Sequence, residues 1–222
     1  SNGKLDALKA FNPEINVTNN NQEAIENADI VLLAVKPWLV KSVLENISFD
    51  AKKQILVTVA AGVAFTEYCK IIGESATIFR VIPNTAISLL ESTTLIASYN
   101  ASKEQEQFML DLFDEMGLAM IINESQMSAA TALTSCGIAY VLKYIHAAVE
   151  AGVEMGIYPK DAQKMVAQSV KGAAELLLQN DTHPAIEIDK VTTPGGLTIK
   201  GLNELEHAGF SSAIIRAMKA SR

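Results

Sequence analysis

The segment of this chain best suited to chemistry lies near its end, at residues 191–198, where it joins two predicted helices. It reads Val-Thr-Thr-Pro-Gly-Gly-Leu-Thr. A Gly-Gly pair lets the backbone approach a ligand closely. The free N–H groups at the start of the following helix favour an anion such as a carboxylate or a phosphate. The alternative is an ordinary helix–helix turn with a threonine cap, and composition alone favours that turn.

A second set of candidates lies at the ends of three apolar segments that we predict to be strands. They are Ala34, Val35, Lys36 and Pro37 at the first, Val59, Ala60 and Ala61 at the second, and Asn84 and Thr85 at the third. Ligands of open α/β sheets bind at the carboxyl ends of strands, so three successive strand ends predict one ligand crevice. Each also has a local alternative: a solvated lysine at a helix start, close packing of small residues, and a Pro-Asn turn.

Other catalytic and metal-binding patterns find no support in the sequence. His146, His183 and His207 lack metal-ligand spacing, and there is no C-x-x-C or H-E-x-x-H motif. We therefore expect no metal. Cys136 lies inside a helical apolar pattern, which indicates an inert thiol, and no G-x-S-x-G elbow is present.

The elements that must position these residues alternate in the first half of the chain. We predict strands at residues 30–35, 55–60, 77–82, 94–98 and 119–122, and helices at residues 22–27, 37–45, 65–72 and 102–115. Apolar strands separated by helix-length connections are typical of βαβ units and of a parallel sheet buried on both faces. The G-x-G-x-x-G turn of dinucleotide-binding domains does not occur in this sequence.

After residue 123 the strand patterns stop and helical patterns begin. Apolar residues recur every three or four positions between Ile138 and Val153, which predicts one long amphipathic helix over residues 126–155. Further helices are predicted over residues 160–179 and from near residues 197 and 211. We therefore expect an α/β domain at residues 1–123 followed by an all-α domain at residues 124–222.

Composition excludes several classes of partner. The 222 residues are 49% hydrophobic, and 18 Lys and Arg against 25 Asp and Glu give a net charge of −7. That charge argues against binding to nucleic acid or to an anionic membrane. The longest purely apolar run, residues 30–35, is far too short to cross a membrane. Two isolated cysteines suit a reducing compartment, so we expect a soluble, cytoplasmic protein.

Three segments carry a resemblance to a known family. Residues 28–37 read ADIVLLAVKP, and residues 80–85 read RVIPNT. Residues 183–210 contain His-Pro, then VTTPGGLTI, a Gly-Leu pair, Leu-Glu and Gly-Phe. The chain thereby resembles the pyrroline-5-carboxylate reductase family over almost its whole length. The long match at residues 183–210 favours a ligand site there over an ordinary turn.

The resemblance implies a Rossmann-type α/β domain followed by a helical dimerisation domain. It implies reduction of 1-pyrroline-5-carboxylate to L-proline with NADPH or NADH. Backbone amides of Gly195, Gly196 and Leu197 are expected to bind the substrate carboxylate, and the Thr198 hydroxyl is the expected catalytic contact, near the ring nitrogen. Thr193 and Glu124 complete the expected substrate contacts. The expected cofactor contacts are Ser1, Asn21, Ala34, Val35, Lys36, Pro37, Val59, Ala60, Ala61, Asn84, Thr85 and Lys190. A homodimer or higher homo-oligomer is implied, with interleaved helices.

The chain also departs from the family pattern. Ser135, Cys136, Gly137 and Ile138 replace Gly-Ser-Gly-Pro, Ala86 replaces a proline, and Ser92 stands where glycine is usual. The family's first strand, glycine-rich turn, first helix and second strand have no counterpart in this sequence. Because residues 30–35 are apolar on both faces, we expect a neighbouring strand and a natural protein longer by about thirty to thirty-five residues at its start.

The sequence is also compatible with two other functions. One is another two-domain NAD(P)-dependent reductase, of the β-hydroxyacid dehydrogenase type. Those enzymes usually place a catalytic lysine in the long helix, and the candidate here, Lys143, lies on the polar face. The other is a non-catalytic helical dimerisation module with an incomplete cofactor domain.

Overall fold

A computed structural model describes residues 2–222 and shows one five-stranded sheet followed by a helical region. The strands are β1 (Ile30–Leu33), β2 (Ile55–Thr58), β3 (Thr77–Ile82), β4 (Ser92–Tyr99) and β5 (Gly117–Ile121). The helices among and before them are α1 (Asn2–Phe11), α2 (Asn21–Ile25), α3 (Val40–Leu44), α4 (Phe65–Ile72) and α5 (Lys103–Asp114). Those that follow are α6 (Met127–Thr131), α7 (Gly137–Glu154), α8 (Pro159–Asn180), α9 (Pro184–Lys190), α10 (Leu197–His207) and α11 (Phe210–Ala220).

Contacts divide the chain into two compact units, one ending at Thr131 and the other beginning at Ala132. The expected architecture, an α/β region followed by a helical region, is confirmed. The domain boundary predicted between residues 123 and 124 stays a prediction. The predicted boundary lies before the boundary between the two compact units, because the helical run begins at Glu124, inside the first unit.

The sheet has the strand order β1-β2-β3-β4-β5, and each neighbouring pair is parallel except β3 with β4. The predicted parallel sheet is confirmed for the other three pairs, and the β3–β4 pair departs from it. The connection over residues 83–91 holds only a short 3₁₀ turn, Thr85–Leu89. A parallel crossover needs a dozen or more residues, so β4 returns beside β3 in the opposite direction.

Apolar side chains cover both faces of the sheet. Leu56 and Ile78 belong to one core cluster, while Val57 and Phe79, one position further along each strand, belong to the other. This alternation follows from the two-residue repeat of a strand. β1 forms one edge of the sheet, and its Leu32 is 59% exposed.

In the second unit the predicted long helix is interrupted. The helical run over residues 124–154 contains a π-helical turn, Ala132–Cys136, between α6 and α7. By length and composition this run is apolar enough to cross a membrane, and 11% of its most apolar window is buried within the described residues. The Tyr140 hydroxyl on α7 contacts Ser221 and the Ala217 carbonyl of α11, which joins the two helices.

Candidate active site

The three predicted strand ends lie at one edge of the sheet. β1, β2 and β3 are parallel, and their last pairs align Leu33 with Thr58 and Thr58 with Arg80. The loops that follow these strands hold all of the predicted cofactor contacts except Ser1, Asn21 and Lys190. Since the carboxyl ends of parallel strands meet at the same edge, the sequence correctly predicted which loops are neighbours.

The loop after β1 turns directly into a helix. Ala34 and Lys36 are exposed, and Pro37 opens the 3₁₀ turn Pro37–Leu39, where no backbone N–H is required. Trp38, the only tryptophan of the sequence, is exposed in the same turn. Asn21 is the first residue of α2, which is capped by the side chain of Asn20.

The loop after β2 is held by buried hydroxyl groups. The Thr58 Oγ1 lies 2.8 Å from the Tyr68 hydroxyl and accepts a hydrogen bond from the Ala60 N–H at 3.3 Å. Burial raises the pKa of Tyr68, against the opposing effects of the Thr58 hydrogen bond and the Arg80 charge. Tyr68 is therefore a neutral phenol at physiological pH, and it fixes the start of the loop that contains Ala61.

The loop after β3 is fixed by Asn84. Its side-chain oxygen accepts from the Ala86 N–H at 2.9 Å and so caps the 3₁₀ turn that begins at Thr85. Its own N–H donates to the Ser92 hydroxyl at 3.1 Å, and Thr94 donates to the same oxygen at 3.0 Å. Ser92, which stands where the family has glycine, thus supports a predicted cofactor residue from the adjacent strand.

A buried arginine lies close to these loops. Arg80, whose side chain is 7% exposed, donates from Nη1 to Glu124 Oε1 at 2.7 Å. The same oxygen accepts from the Phe65 N–H at 2.7 Å. The sequence motif at residues 80–85 contains Arg80, but Arg80 was not among the predicted site residues. A charged residue inside the apolar strand TIFRVI was the available signal, because buried charges require partners.

The Pro-Gly-Gly segment forms a tight turn before α10. Gly196 donates its N–H to the Thr193 carbonyl at 2.9 Å, with Pro194 and Gly195 between them. Gly195 has φ +71°, and proline followed by a residue of positive φ defines a type II turn, which favours glycine at that position.

The turn leaves the start of α10 open. No side chain caps the helix at Gly196, Leu197 is 87% exposed, and Thr198 lies exposed in the first turn. The Gly196 amide was expected to donate to an anion, but its N–H already donates to the Thr193 carbonyl. The first-turn amides of α10 are the better placed donors.

Two further predicted cofactor contacts belong to other segments of the sequence. Lys190, the last residue of α9, donates to Glu187 at 2.7 Å. This contact first, and the Thr182 hydrogen bond second, lower the pKa of Glu187. Ser1 lies outside the described residues, so its predicted contact is not located. Within residues 2–222 no group of three His, Cys, Asp or Glu side chains is arranged to hold a metal ion.

Comparison with known proteins identifies relatives along the whole chain. Residues 124–222 match the family described as pyrroline-5-carboxylate reductase dimerisation, and residues 1–62 match the family described as NADP oxidoreductase, coenzyme F420-dependent. Pyrroline-5-carboxylate reductase 2 of Dictyostelium discoideum is 38% identical over 221 residues, which cover 92% of this chain and 74% of that protein. Pyrroline-5-carboxylate reductase 1 of the same organism is 37% identical, but the chain spans only 40% of its length.

A solved structure shows the same fold. The crystal structure of Plasmodium falciparum pyrroline carboxylate reductase with NADP bound aligns with a TM-score of 0.86 and 30% identity. The alignment covers 93% of this chain and 79% of that one. With the described strand loops and the relatives at 37–38% identity, these findings show that the chain belongs to the pyrroline-5-carboxylate reductase family.

Proposed function

We propose that this protein reduces 1-pyrroline-5-carboxylate to L-proline with hydride from NADPH or NADH. The observation that carries the proposal is the turn at Thr193–Gly196 and the uncapped start of α10 after it, in a chain whose relatives bear this activity in their names. The substrate offers what such a site needs, a carboxylate beside a ring nitrogen.

The strand loops suit a nucleotide cofactor. Ala60 and Ala61 have small side chains, and a Cβ atom built on Gly62 meets nothing within 4 Å. The backbone at Gly62 therefore lies open to a ligand that approaches closely, whereas the side chain of Ala60 is buried. Residues of the first loop, including Lys36, and Asn84 and Thr85 of the third complete the proposed cofactor contacts. The bound cofactor supplies a hydride to the imine carbon.

The residues of α10 bind and orient the substrate. First-turn amides at Leu197 and Thr198, with Gly195 in the turn, bind the carboxylate through hydrogen bonds and the helix dipole. The Thr198 hydroxyl lies near the ring nitrogen, which must already carry a proton or gain one from water as the carbon gains hydride. Fixing the ring in one orientation supplies much of the rate, since it makes the step effectively unimolecular.

The competing functions make different predictions. A β-hydroxyacid dehydrogenase needs its lysine in the site, and Lys143 is exposed on α7. We expect the protein, expressed from its complete natural reading frame, to oxidise NADPH only when 1-pyrroline-5-carboxylate is present. Reduction of NADP⁺ by a β-hydroxyacid would favour the dehydrogenase, and inactivity with both substrates would favour the non-catalytic module.

The helical unit supports a homodimer or a higher homo-oligomer. Leu142, Met155 and Leu178 are 58–75% exposed, and the matching family is described by dimerisation. A contiguous patch of exposed apolar side chains marks an interaction surface. We therefore expect a cytoplasmic homo-oligomer without membrane or nucleic-acid partners, in which a second copy covers the apolar run over residues 124–154. Sedimentation that shows a folded monomer at micromolar concentration, or recovery in the membrane fraction, would contradict this proposal.

A further inference from the structure

The loop between β2 and α4, residues 59–64, is anchored at both ends. At its start, the Ala60 N–H donates to Thr58 Oγ1, which the Tyr68 hydroxyl also contacts. At its end, the Phe65 N–H donates to Glu124 Oε1 at 2.7 Å. The second anchor comes from a residue 59 positions further along the chain, so it closes a tertiary contact.

Glu124 takes the place of a helix cap. α4 begins at Phe65, and its N-cap residue, Ala64, has no side chain that can accept a hydrogen bond. The carboxylate of Glu124 satisfies one of the N–H groups that a helix start leaves unpaired. Its negative charge is also favourable at this end of the helix dipole.

The same carboxylate neutralises a buried charge. Arg80 Nη1 donates to Glu124 Oε1, and the guanidinium carbon lies 5.7 Å from the centre of the Phe65 ring. Among the described residues Arg80 Nε has no hydrogen-bond partner. The contact with Glu124 is therefore the ion pair that makes burial of the Arg80 side chain tolerable.

We propose that Glu124 is a positioning residue for the cofactor. Through the Phe65 N–H and Arg80 it holds the β2–α4 loop and the end of β3 in the shape that binds the dinucleotide. The inference rests on the proposed function, since that function places a cofactor at these loops. It replaces direct substrate contact, the role expected of Glu124 from the sequence.

Two substitutions separate the functions of the carboxylate. Glu124→Gln keeps an oxygen that accepts from Phe65 but loses the ion pair with Arg80, whereas Glu124→Ala loses both contacts. The matched control is Glu67→Gln, a carboxylate in the first turn of α4 whose salt bridge among the described residues is with the exposed Lys70. Dissociation constants for NADPH are measured by quenching of Trp38 fluorescence, without substrate.

We expect Glu124→Ala to weaken NADPH binding about tenfold or more, Glu124→Gln about threefold, and Glu67→Gln not at all. The KM for 1-pyrroline-5-carboxylate at saturating NADPH should stay near its wild-type value. A raised KM with unchanged NADPH affinity would show substrate contact and overturn the inference. Unchanged NADPH affinity in Glu124→Gln overturns it too, and that result stands even if Glu124→Ala does not fold.

A measurement without cofactor tests the physical basis separately. Hydrogen exchange of the Phe65 amide should accelerate at least about tenfold in Glu124→Ala and stay slow in Glu124→Gln and Glu67→Gln. Equal exchange in wild type and Glu124→Ala refutes the anchor. If the wild-type protein lacks reductase activity while these exchange differences appear, the proposed function fails and the anchor remains.

Discussion

Gly196→Ala tests the turn before α10 with the smallest possible change. Gly196 has φ −66° and ψ 171°, an extended conformation that alanine also adopts. The added methyl group, however, would lie too close to atoms of Thr193. A Cβ atom on Gly196 would lie 2.6 Å from Thr193 Oγ1 and 3.0 Å from the Thr193 carbonyl oxygen. The threonine side chain can rotate away, but the carbonyl moves only if the turn opens.

Opening the turn gives the magnitude of the effect. The Gly196 N–H donates to that same carbonyl at 2.9 Å, and such a hydrogen bond contributes about 0.5–1.5 kcal/mol. Opening the turn also displaces the first turn of α10 and with it the proposed donors to the substrate carboxylate. A displacement of about 1 Å can lower the catalytic rate by a factor of about 100. We expect kcat/KM for 1-pyrroline-5-carboxylate to fall about ten- to a hundredfold, mostly through KM.

Steady-state kinetics with varied 1-pyrroline-5-carboxylate measure this effect, and thermal unfolding reports on stability. The control is Gly201→Ala in the same helix, where an added Cβ meets nothing within 4 Å. That change should leave kcat/KM unchanged and stabilise α10 by at most about 1 kcal/mol. Wild-type kcat/KM in Gly196→Ala, or an equal loss in Gly201→Ala, would refute the assignment of this turn to the substrate site.

Three further predictions concern single residues. Thr198→Ala should lower kcat with little change in NADPH affinity. We expect the loss of transition-state stabilisation to be smaller than the ~2.7–4 kcal/mol typical of a preorganised oxyanion donor, because water can replace an exposed hydroxyl. An unchanged kcat would exclude the catalytic contact. Gly117→Ala should destabilise the protein by at least about 2 kcal/mol in urea unfolding, since its Cβ would lie 2.2 Å from the Ser92 carbonyl oxygen at φ +128°; wild-type stability would contradict the β4–β5 register. Lys190 lowers the pKa of Glu187, so this pair stabilises the fold above the ordinary glutamate pKa and is lost as pH falls through the lowered value; NMR titration of Lys190→Met should show the pKa of Glu187 rising, and no rise would refute the pairing.

The sequence predicted the positions of the strands better than their relative directions. Apolar runs without alternation placed all five strands, since both faces of the sheet are covered. It missed the reversal at β4, although the short connection over residues 83–91 was visible. The π turn at Ala132–Cys136 and the short helix α9 were also missed. α9 starts after His183, whose ring nitrogen caps it. Its seven residues are too few to show a helical repeat of apolar positions in the sequence.

The candidate site was predictable where its residues are neighbours in sequence. The Pro-Gly-Gly turn and the three strand ends follow from local motifs and from the rule for parallel strands. The Arg80–Glu124 pair joins residues 44 positions apart, and the Ser92 support of Asn84 depends on the antiparallel return of β4. Such contacts arise from tertiary packing, which no local pattern encodes.

Isotope transfer tests directly whether the protein moves hydride from NADPH to 1-pyrroline-5-carboxylate. The protein is incubated with 1-pyrroline-5-carboxylate and NADPH that carries deuterium at the transferable position of its nicotinamide ring, and the proline formed is analysed by mass spectrometry. We expect one proline for each NADPH oxidised, with one deuterium on the ring carbon that was the imine carbon. Proline without deuterium, or NADPH oxidation without proline, would contradict hydride transfer to this substrate.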